Sequence, residues 1–411
     1  MVDSTGINKD GVSMMNKKTI DDVVLAGKRV LLRVDFNVPL DAGRVTDDTR
    51  LAESLPTIRK LAEAGARTVL ISHLGRPKGR LIPEFSLRPV AARLSDLLGK
   101  PVPFASDCIG PLAGTIVNGL RDGEICLLEN LRFHPEEEKN DPEFARQLAA
   151  WGDIFVNDAF GSAHRAHAST EGVTRIIKTS VAGYLMQKEL KYLGDLLQSP
   201  KRPFTALLGG AKVSGKLEVI TNLMNRVDVF LIGGGMAFTF LKAQGKEIGK
   251  SLVEEELIGP AGQILADAAR LKKKFLLPCD FVAAKDLKDP GRPVIVDGDK
   301  LAADQAGYDI GPRTAKEFST ELKTAGTIFW NGPMGVFENP IFESGTIVVS
   351  HAVAEATDKG AISVVGGGDS VAAVHKSNVA SRISHISTGG GASLEFIEGK
   401  ILPGVAALND R

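Results

Sequence analysis

The stretch LLGGAKVSGK, Leu207 to Lys216, sets two lysines in a glycine-rich frame, and from Gly210 it reads G-x-x-x-x-G-K. A Walker-type phosphate loop would continue with Ser or Thr, whose hydroxyl holds magnesium. Here position 217 is Leu. The lysines suit phosphate, but a metal would have to be held elsewhere. Four more stretches in the same half are glycine-rich: GGGMAF from Gly233, NGPMGVFE from Asn331, GGGDS from Gly366 and TGGGAS from Thr388. Glycine lets a backbone approach a ligand closely, and amides at a helix N-terminus bind phosphate. Together these stretches point to a nucleotide site. Gly233 and Gly235 are followed by Phe238, so the third glycine of a dinucleotide fingerprint is missing. Asp369 could hold Mg²⁺ beside phosphates or cap the next helix. Glu338 could bind ribose hydroxyls or be a surface acid.

The first half carries a different chemistry. VDFNVP, SHLGRP, ENLRFH and NDAFGSAHRAHAS place Asp35, Asn37, His73, Arg76, Arg132, His134, His164, Arg165 and His167 directly after apolar runs. Arg50 opens the helix after the first of them. Arg and His recognise phosphate and carboxylate with fixed geometry. One such arginine is ordinary; the same chemistry after several strands implies a small, multiply anionic ligand. The acidic run PEEE (135–138) reads as a solvated face.

These groups need a frame that brings strand ends together. Short β-branched runs recur at 29–36, 67–73, 124–130 and 153–160, and again at 204–210, 227–234, 275–280, 327–333, 361–368 and 384–390. They do not alternate strictly, as expected of parallel strands buried on both faces. Between them Leu51, Leu55, Ile58 and Ala62, and Leu217, Ile220 and Met224, fall at helical spacing. Alternating strands and helices predict an α/β chain with two doubly wound domains, and ligands bind beyond the carboxyl ends of such strands. The polar segment 187–203 divides the two sets as an amphipathic helix ended by a Pro-bracketed turn. If a helix begins at the GGAKVSGK stretch, Lys212 and Lys216 share one face of it.

The bulk composition agrees. A chain of 411 residues exceeds one ordinary core. Fifty basic and fifty acidic residues leave no net charge, which argues against a nonspecific nucleic-acid partner. Cys108, Cys126 and Cys279 form no C-x-x-C pair and read as reduced core thiols. Residues 1–18 lack the apolar core of a secretory signal, and no run approaches a membrane span, so the expected compartment is the cytoplasm. The first 17 residues read as a loose tail. No Ser–His–Asp, Cys–His or metal-hydrolase constellation is apparent, and GSAH lacks G-x-S-x-G. Anion binding in one half, nucleotide binding in the other and no general base suit phosphoryl transfer, where catalysis is mainly positioning and charge stabilisation. A nicotinamide oxidoreductase and a nucleotide-sensing module without turnover are the other readings.

RVDFNVP, SHLGRP, ENLRFH, GSAHRAHAS, GGAKVSGK, NGPMGVFE, GGGDS and STGGGASLE, in that order, resemble phosphoglycerate kinase from about Lys18 onward. The resemblance implies transfer of phosphoryl from 1,3-bisphosphoglycerate to Mg·ADP, giving 3-phosphoglycerate and ATP, in a monomer. The expected phosphoglycerate domain spans 18–186, with Asp35, Phe36, Asn37, Arg50, His73, Leu74, Gly75, Arg76, Arg132 and Arg165 at the substrate. A hinge helix (187–202) joins it to a nucleotide domain (203–395), and the tail 396–411 returns to the first domain. Gly210, Ala211, Lys212, Lys216, Gly233, Gly307, Asn331, Glu338, Gly366, Gly367, Gly368 and Asp369 are expected at the nucleotide, with Asp369 on the metal. Arg50, Lys212, Gly366 and Gly389 are the expected catalytic groups, and the amides of 366–368 and 389–391 are expected to face phosphate. Asp369 answers the missing Ser/Thr: metal ligation falls to it, far along the chain.

Overall fold

The computed structural model describes residues 16–411. The chain divides into two compact units, one of residues 1–191 with 400–411, the other of 192–399. The helix Tyr184–Gln198 contains the boundary.

In the first unit β1 (Arg29–Arg33) is followed by a short antiparallel hairpin, β2 (Leu40–Asp41) and β3 (Arg44–Val45). Then come β4 (Arg67–Ile71), β5 (Ile125–Leu127), β6 (Ile154–Asn157) and β7 (Ser180–Ala182). These four and β1 form one parallel sheet in the order β5-β4-β1-β6-β7. The chain works outward from β1 to β5, then crosses back to β6. The loops after β1 and β6 therefore diverge, and a crevice opens there. Buried Val30, Leu32, Leu70, Leu127 and Val156 pack against Leu51, Ile58 and Leu61 of helix Thr49–Glu63 and Val90 and Leu94 of helix Arg88–Leu98.

The second unit repeats the plan. β8 (Phe204–Leu208), β9 (Val229–Ile232), β10 (Lys274–Leu276), β11 (Asp280–Ala284), β12 (Val294–Asp297), β13 (Ala306–Ile310), β14 (Thr327–Asn331), β15 (Ile362–Gly366) and β16 (His385–Ile386) follow in sequence. The parallel sheet runs β10-β9-β8-β14-β15-β16, with its own switch between β8 and β14. Trp330, Phe318, Val353 and Val365 fill its core.

Three expectations need correction. The run 275–280 is two strands: β10 ends at Leu276, and Asp280 opens β11 of a separate antiparallel sheet, β12-β11-β13. Pro278 lies between them and has no amide to continue a ladder. The run 204–210 ends as a strand at Leu208, and the helix after it begins only at Leu217, so Lys212 and Lys216 share no helical face. The tail reading lies outside the described residues for 1–15, but Lys17 is buried. Its Nζ donates to Asp410 Oδ1 at 2.6 Å and to the Leu408 carbonyl at 2.9 Å.

Candidate active site

The expected substrate side chains of the first unit share the carboxyl edge of its sheet. Asp35 lies two residues beyond β1, His73 two beyond β4 and Arg165 eight beyond β6. Arg50, in the first turn of helix Thr49–Glu63, sets its guanidinium 2.6 Å from the Asp35 carboxylate. The exposed Asn37 accepts from the Gly75 amide at 2.9 Å, tying the first loop to the second. The Phe36 amide donates to Ser72 Oγ at 2.9 Å, and the Leu74 amide to Asn130 Oδ1 at 3.2 Å. Arg132 donates to the Gly75 carbonyl at 2.8 Å. Asp35, Asn37, Arg50, His73, Gly75 and Arg132 thus form one rim, with Arg76 exposed beside Gly75 and Arg165 half-exposed.

Behind the rim lies a charged layer that the sequence reading missed. Arg33, the last residue of β1, is buried. Its Nε donates to Ser169 Oγ at 2.9 Å, and its Nη2 lies 3.1 Å from His73 Nδ1. A guanidinium has only donors, so His73 Nδ1 accepts and Nε2 carries the ring proton. Burial, with Arg33, Arg132 and Arg50 nearby, pushes the His73 pKa well down although Asp35 opposes it. His73 therefore brings a neutral donor, not a cation. Asp35 is held ionised: burial would raise its pKa, but the Arg50 and Arg33 guanidiniums and the Asn37 amide carry it below the usual value. The signal for Arg33 was present, since a charge inside a strand buried on both faces needs partners.

The acidic run departs from its expected solvated face. Glu137 is buried and accepts from both the hydroxyl (2.6 Å) and the amide (3.0 Å) of Ser169. Burial raises its pKa, and Arg33 with the two Ser169 bonds opposes the rise. Of the rim's other expected histidines, one is engaged elsewhere. His134 Nε2 lies 2.8 Å from Asp107 Oδ1, and its ring packs on Phe144. His167 is buried with its pKa pushed down to about 3 by burial and by Arg33, Arg132 and Arg165, so it too is neutral. His164 Nε2 accepts from Arg165 Nε at 3.1 Å.

In the second unit a cavity of about 480 Å³ opens at the β8/β14 switch. Gly210, Ala211, Gly307, Glu338 and Asp369 line it. Gly233 does not; Gly234 and Gly235 take that place, because a Cβ on Gly233 would fall 2.5 Å from Met334 Sδ. Gly234 sits at φ +65°, where its Cβ would meet the Gly210 backbone at 2.5 Å, so only glycine lets the two loops close on each other. Phe238, Phe281, Tyr308, Leu252 and Met334 supply apolar walls, as ligand pockets commonly have. Phe238 and Met334 lie within GGGMAF and NGPMGVFE, but Leu252, Phe281 and Tyr308 carry no local motif, and β13, which bears Tyr308, is not among the runs expected from the sequence.

Lys216, Asn331, Gly366 and Gly367 gather beside this cavity rather than in its wall. Lys216 Nζ donates to Asn331 Oδ1, and Asn331 Nδ2 donates to the Gly366 carbonyl at 2.7 Å. Burial pushes the Lys216 pKa down to about 8, against the pull of Glu398 and Asp369. Gly367, at φ +90°, precedes the helix Gly368–Lys376, whose first turn carries the exposed Asp369. Lys212 is exposed on the loop before helix Leu217–Leu223, where the neighbouring Ser214 amide is held by Glu254 at 2.9 Å. The Gly389 amide already donates to Ser387 Oγ at 3.2 Å, so it is less available to phosphate than expected. Cys108 and Cys126 are buried free thiols, but Cys279 is exposed and not a core thiol.

Comparison with known proteins gives the family and the fold. The phosphoglycerate kinase family profile matches residues 20–400. The phosphoglycerate kinase of Chlorobium luteolum is 58% identical over 396 residues, covering 96% of this chain and all of that protein. That of Prosthecochloris aestuarii is also 58% identical, over 397 residues with the same coverage. Among solved structures, phosphoglycerate kinase from Coxiella burnetii superposes with a TM-score of 0.87 at 42% identity, covering 95% of this chain and 98% of that one. The enzyme from Pyrococcus horikoshii OT3 gives 0.81 at 36% identity, with the same coverage. The chain belongs to the phosphoglycerate kinase family, phosphotransferases of glycolysis.

Proposed function

We propose that this chain transfers phosphoryl reversibly between 1,3-bisphosphoglycerate and Mg·ADP, with the phosphoglycerate bound on the rim of the first unit and the nucleotide in the cavity of the second. The observation that carries this reading is the pairing of chemistries: a guanidinium-lined rim in one unit, and in the other a glycine-cradled apolar cavity edged by Lys216 and Asp369. His73, Arg76, Arg132 and Arg165 would hold the phosphate of the phosphoglycerate, and Asp35 and Asn37 would meet its hydroxyl and carboxylate region. In the reverse direction the acceptor is a carboxylate, already ionised at neutral pH, so no general base is needed. What the reaction needs is positive charge on the phosphoryl in flight, which Arg50 and Lys212 would supply.

Asp369 fits a magnesium ligand. It is exposed, lies at the cavity and offers the single carboxylate that Mg²⁺ usually takes together with phosphate oxygens. Bound there, the metal would neutralise charge on the nucleotide phosphates. Lys216 would hold those phosphates, the amides at the start of helix Gly368–Lys376 would face them, and Glu338 would take the ribose. Closure of one unit on the other about the helix Tyr184–Gln198 belongs to the same reading, since Arg50 and Lys212 come from different units. It would also exclude water from the transfer. So does a cytoplasmic monomer belong to it; among the described residues no helix is long and apolar enough to cross a membrane.

The test is ATP consumption with 3-phosphoglycerate and Mg²⁺, coupled through glyceraldehyde-3-phosphate dehydrogenase to NADH oxidation. Turnover should require phosphoglycerate and vanish in Arg50→Ala. A folded protein that binds nucleotide without turnover would make it a nucleotide-binding module instead.

A further inference from the structure

The charged layer behind the rim needs a physical reason to exist. Burying Arg33 and Glu137 in one small volume is costly unless each is well satisfied. Ser169 stands between them, its hydroxyl donating to Glu137 Oε1 at 2.6 Å and accepting from Arg33 Nε at 2.9 Å. A hydroxyl that gives its proton to an anion becomes a better acceptor for a cation, so the three groups polarise one another. The other end of the same guanidinium is 3.1 Å from His73 Nδ1, and Arg33 together with Arg50 keeps Asp35 ionised.

Glu137 also ties together two loops that carry rim arginines. Its carbonyl accepts from the Ala168 amide at 3.0 Å, and its carboxylate from the Ser169 amide at 3.0 Å, both on the loop that follows Arg165. Glu137 itself lies five residues after Arg132. His167 Nδ1 approaches the carboxylate at 3.8 Å, too far for a hydrogen bond. Hence the Glu137 side chain meets Ser169 directly and the rim only through it.

We propose that Glu137 is a positioning residue for the phosphoglycerate rim, acting through Ser169 and Arg33 to fix His73 as an Nε2–H donor. It touches no substrate. This rests on the reading of the rim as the phosphoglycerate site.

The experiment compares Glu137→Gln, Ser169→Ala and Arg76→Ala in the full chain. Glu137→Gln keeps the backbone bond to Ala168 and a similar side-chain shape but removes the carboxylate. It should raise KM for 3-phosphoglycerate about tenfold, the loss of one hydrogen bond to a charged group. KM for ATP should stay within about twofold. The ring ¹⁵N shifts of His73 should move from a single Nε2–H tautomer to a mixture, without substrate present. Ser169→Ala, a smaller change, should do the same by about threefold or more. A uniform loss of stability would not separate the two KM values or change one ring's tautomer. Unchanged KM for 3-phosphoglycerate and an unchanged His73 tautomer in folded Glu137→Gln would overturn the proposal. If that variant does not fold, the same null result in Ser169→Ala overturns it. Arg76→Ala separates the two readings: if it too leaves KM for 3-phosphoglycerate unchanged, the rim reading fails; if it alone raises KM, only the role of Glu137 fails.

Discussion

The two units share a topology and solve opposite problems with it. Each gathers the groups proposed to meet a ligand at the switch of a parallel sheet, β1/β6 in one and β8/β14 in the other. The first builds its edge from charged side chains and keeps a second layer of charge beneath it, with Arg33 and Glu137 buried behind Asp35 and His73. The second builds its edge from backbone, with Gly210, Gly234 and Gly332 at positive φ and the loops closed to contact. A side-chain rim can be strongly cationic but needs counter-charges to hold it in shape. A backbone cradle is neutral and rigid but admits almost no substitution. Similar folds can therefore differ sharply in how they tolerate mutation.

That contrast can be broken at three points. The largest effect belongs to Lys212→Ala. If the exposed Lys212 is the mobile cation of the second unit, kcat should fall by roughly 10³-fold, as when other charge-stabilising groups are removed from phosphoryl transfer. A kcat within threefold of the parent would take that lysine out of the catalytic role. Next is Gly307→Ala in the cavity wall. The added Cβ would lie 2.5 Å from Phe238 Cζ and displace that ring. Overpacking of this kind costs about 1–3 kcal/mol, so ADP affinity measured by calorimetry should weaken about tenfold while KM for 3-phosphoglycerate is unchanged. Equal losses for both substrates would mean that the two sites are not separable in this way. The smallest effect is a pH dependence. With its pKa lowered to about 8, Lys216 is charged below that value and loses its charge as pH rises through it. ADP binding to the free protein should weaken between about pH 7 and 9, and Lys216→Arg, which stays charged, should flatten the slope. An identical slope in the variant would assign the titration to another group.

The same contrast explains what could be read without coordinates. The parallel strands announced themselves because apolar β-branched runs buried on both faces have few other uses, and their ends were fixed by Asp, His and glycine clusters. Asp35, His73 and Arg132 follow from position alone. What escaped was whatever depends on contact across the sheet. Glu137 looks like its solvated neighbours until Ser169, thirty-two residues later, is brought against it. Phe238 and Tyr308 meet at the cavity only because β13 joins an antiparallel sheet whose charged, glycine-rich flanks hide its strands. The helical face expected for Lys212 and Lys216 failed because Gly209 and Gly210 first run the chain against Pro333. The Gly210 amide donates to the Pro333 carbonyl at 2.9 Å.

Residues 400–411 close the first unit: Asn157 Nδ2 donates to the Gly404 carbonyl at 2.9 Å, the Ser180 amide to Asn409 Oδ1 at 2.8 Å, and Lys17 is held by Asp410. A ribosome releases these residues only after all of 192–399 has emerged. A chain cut anywhere within 192–399 would lose the Gly404, Asn409 and Asp410 partners of Asn157, Ser180 and Lys17, although every strand of the first sheet would still be present.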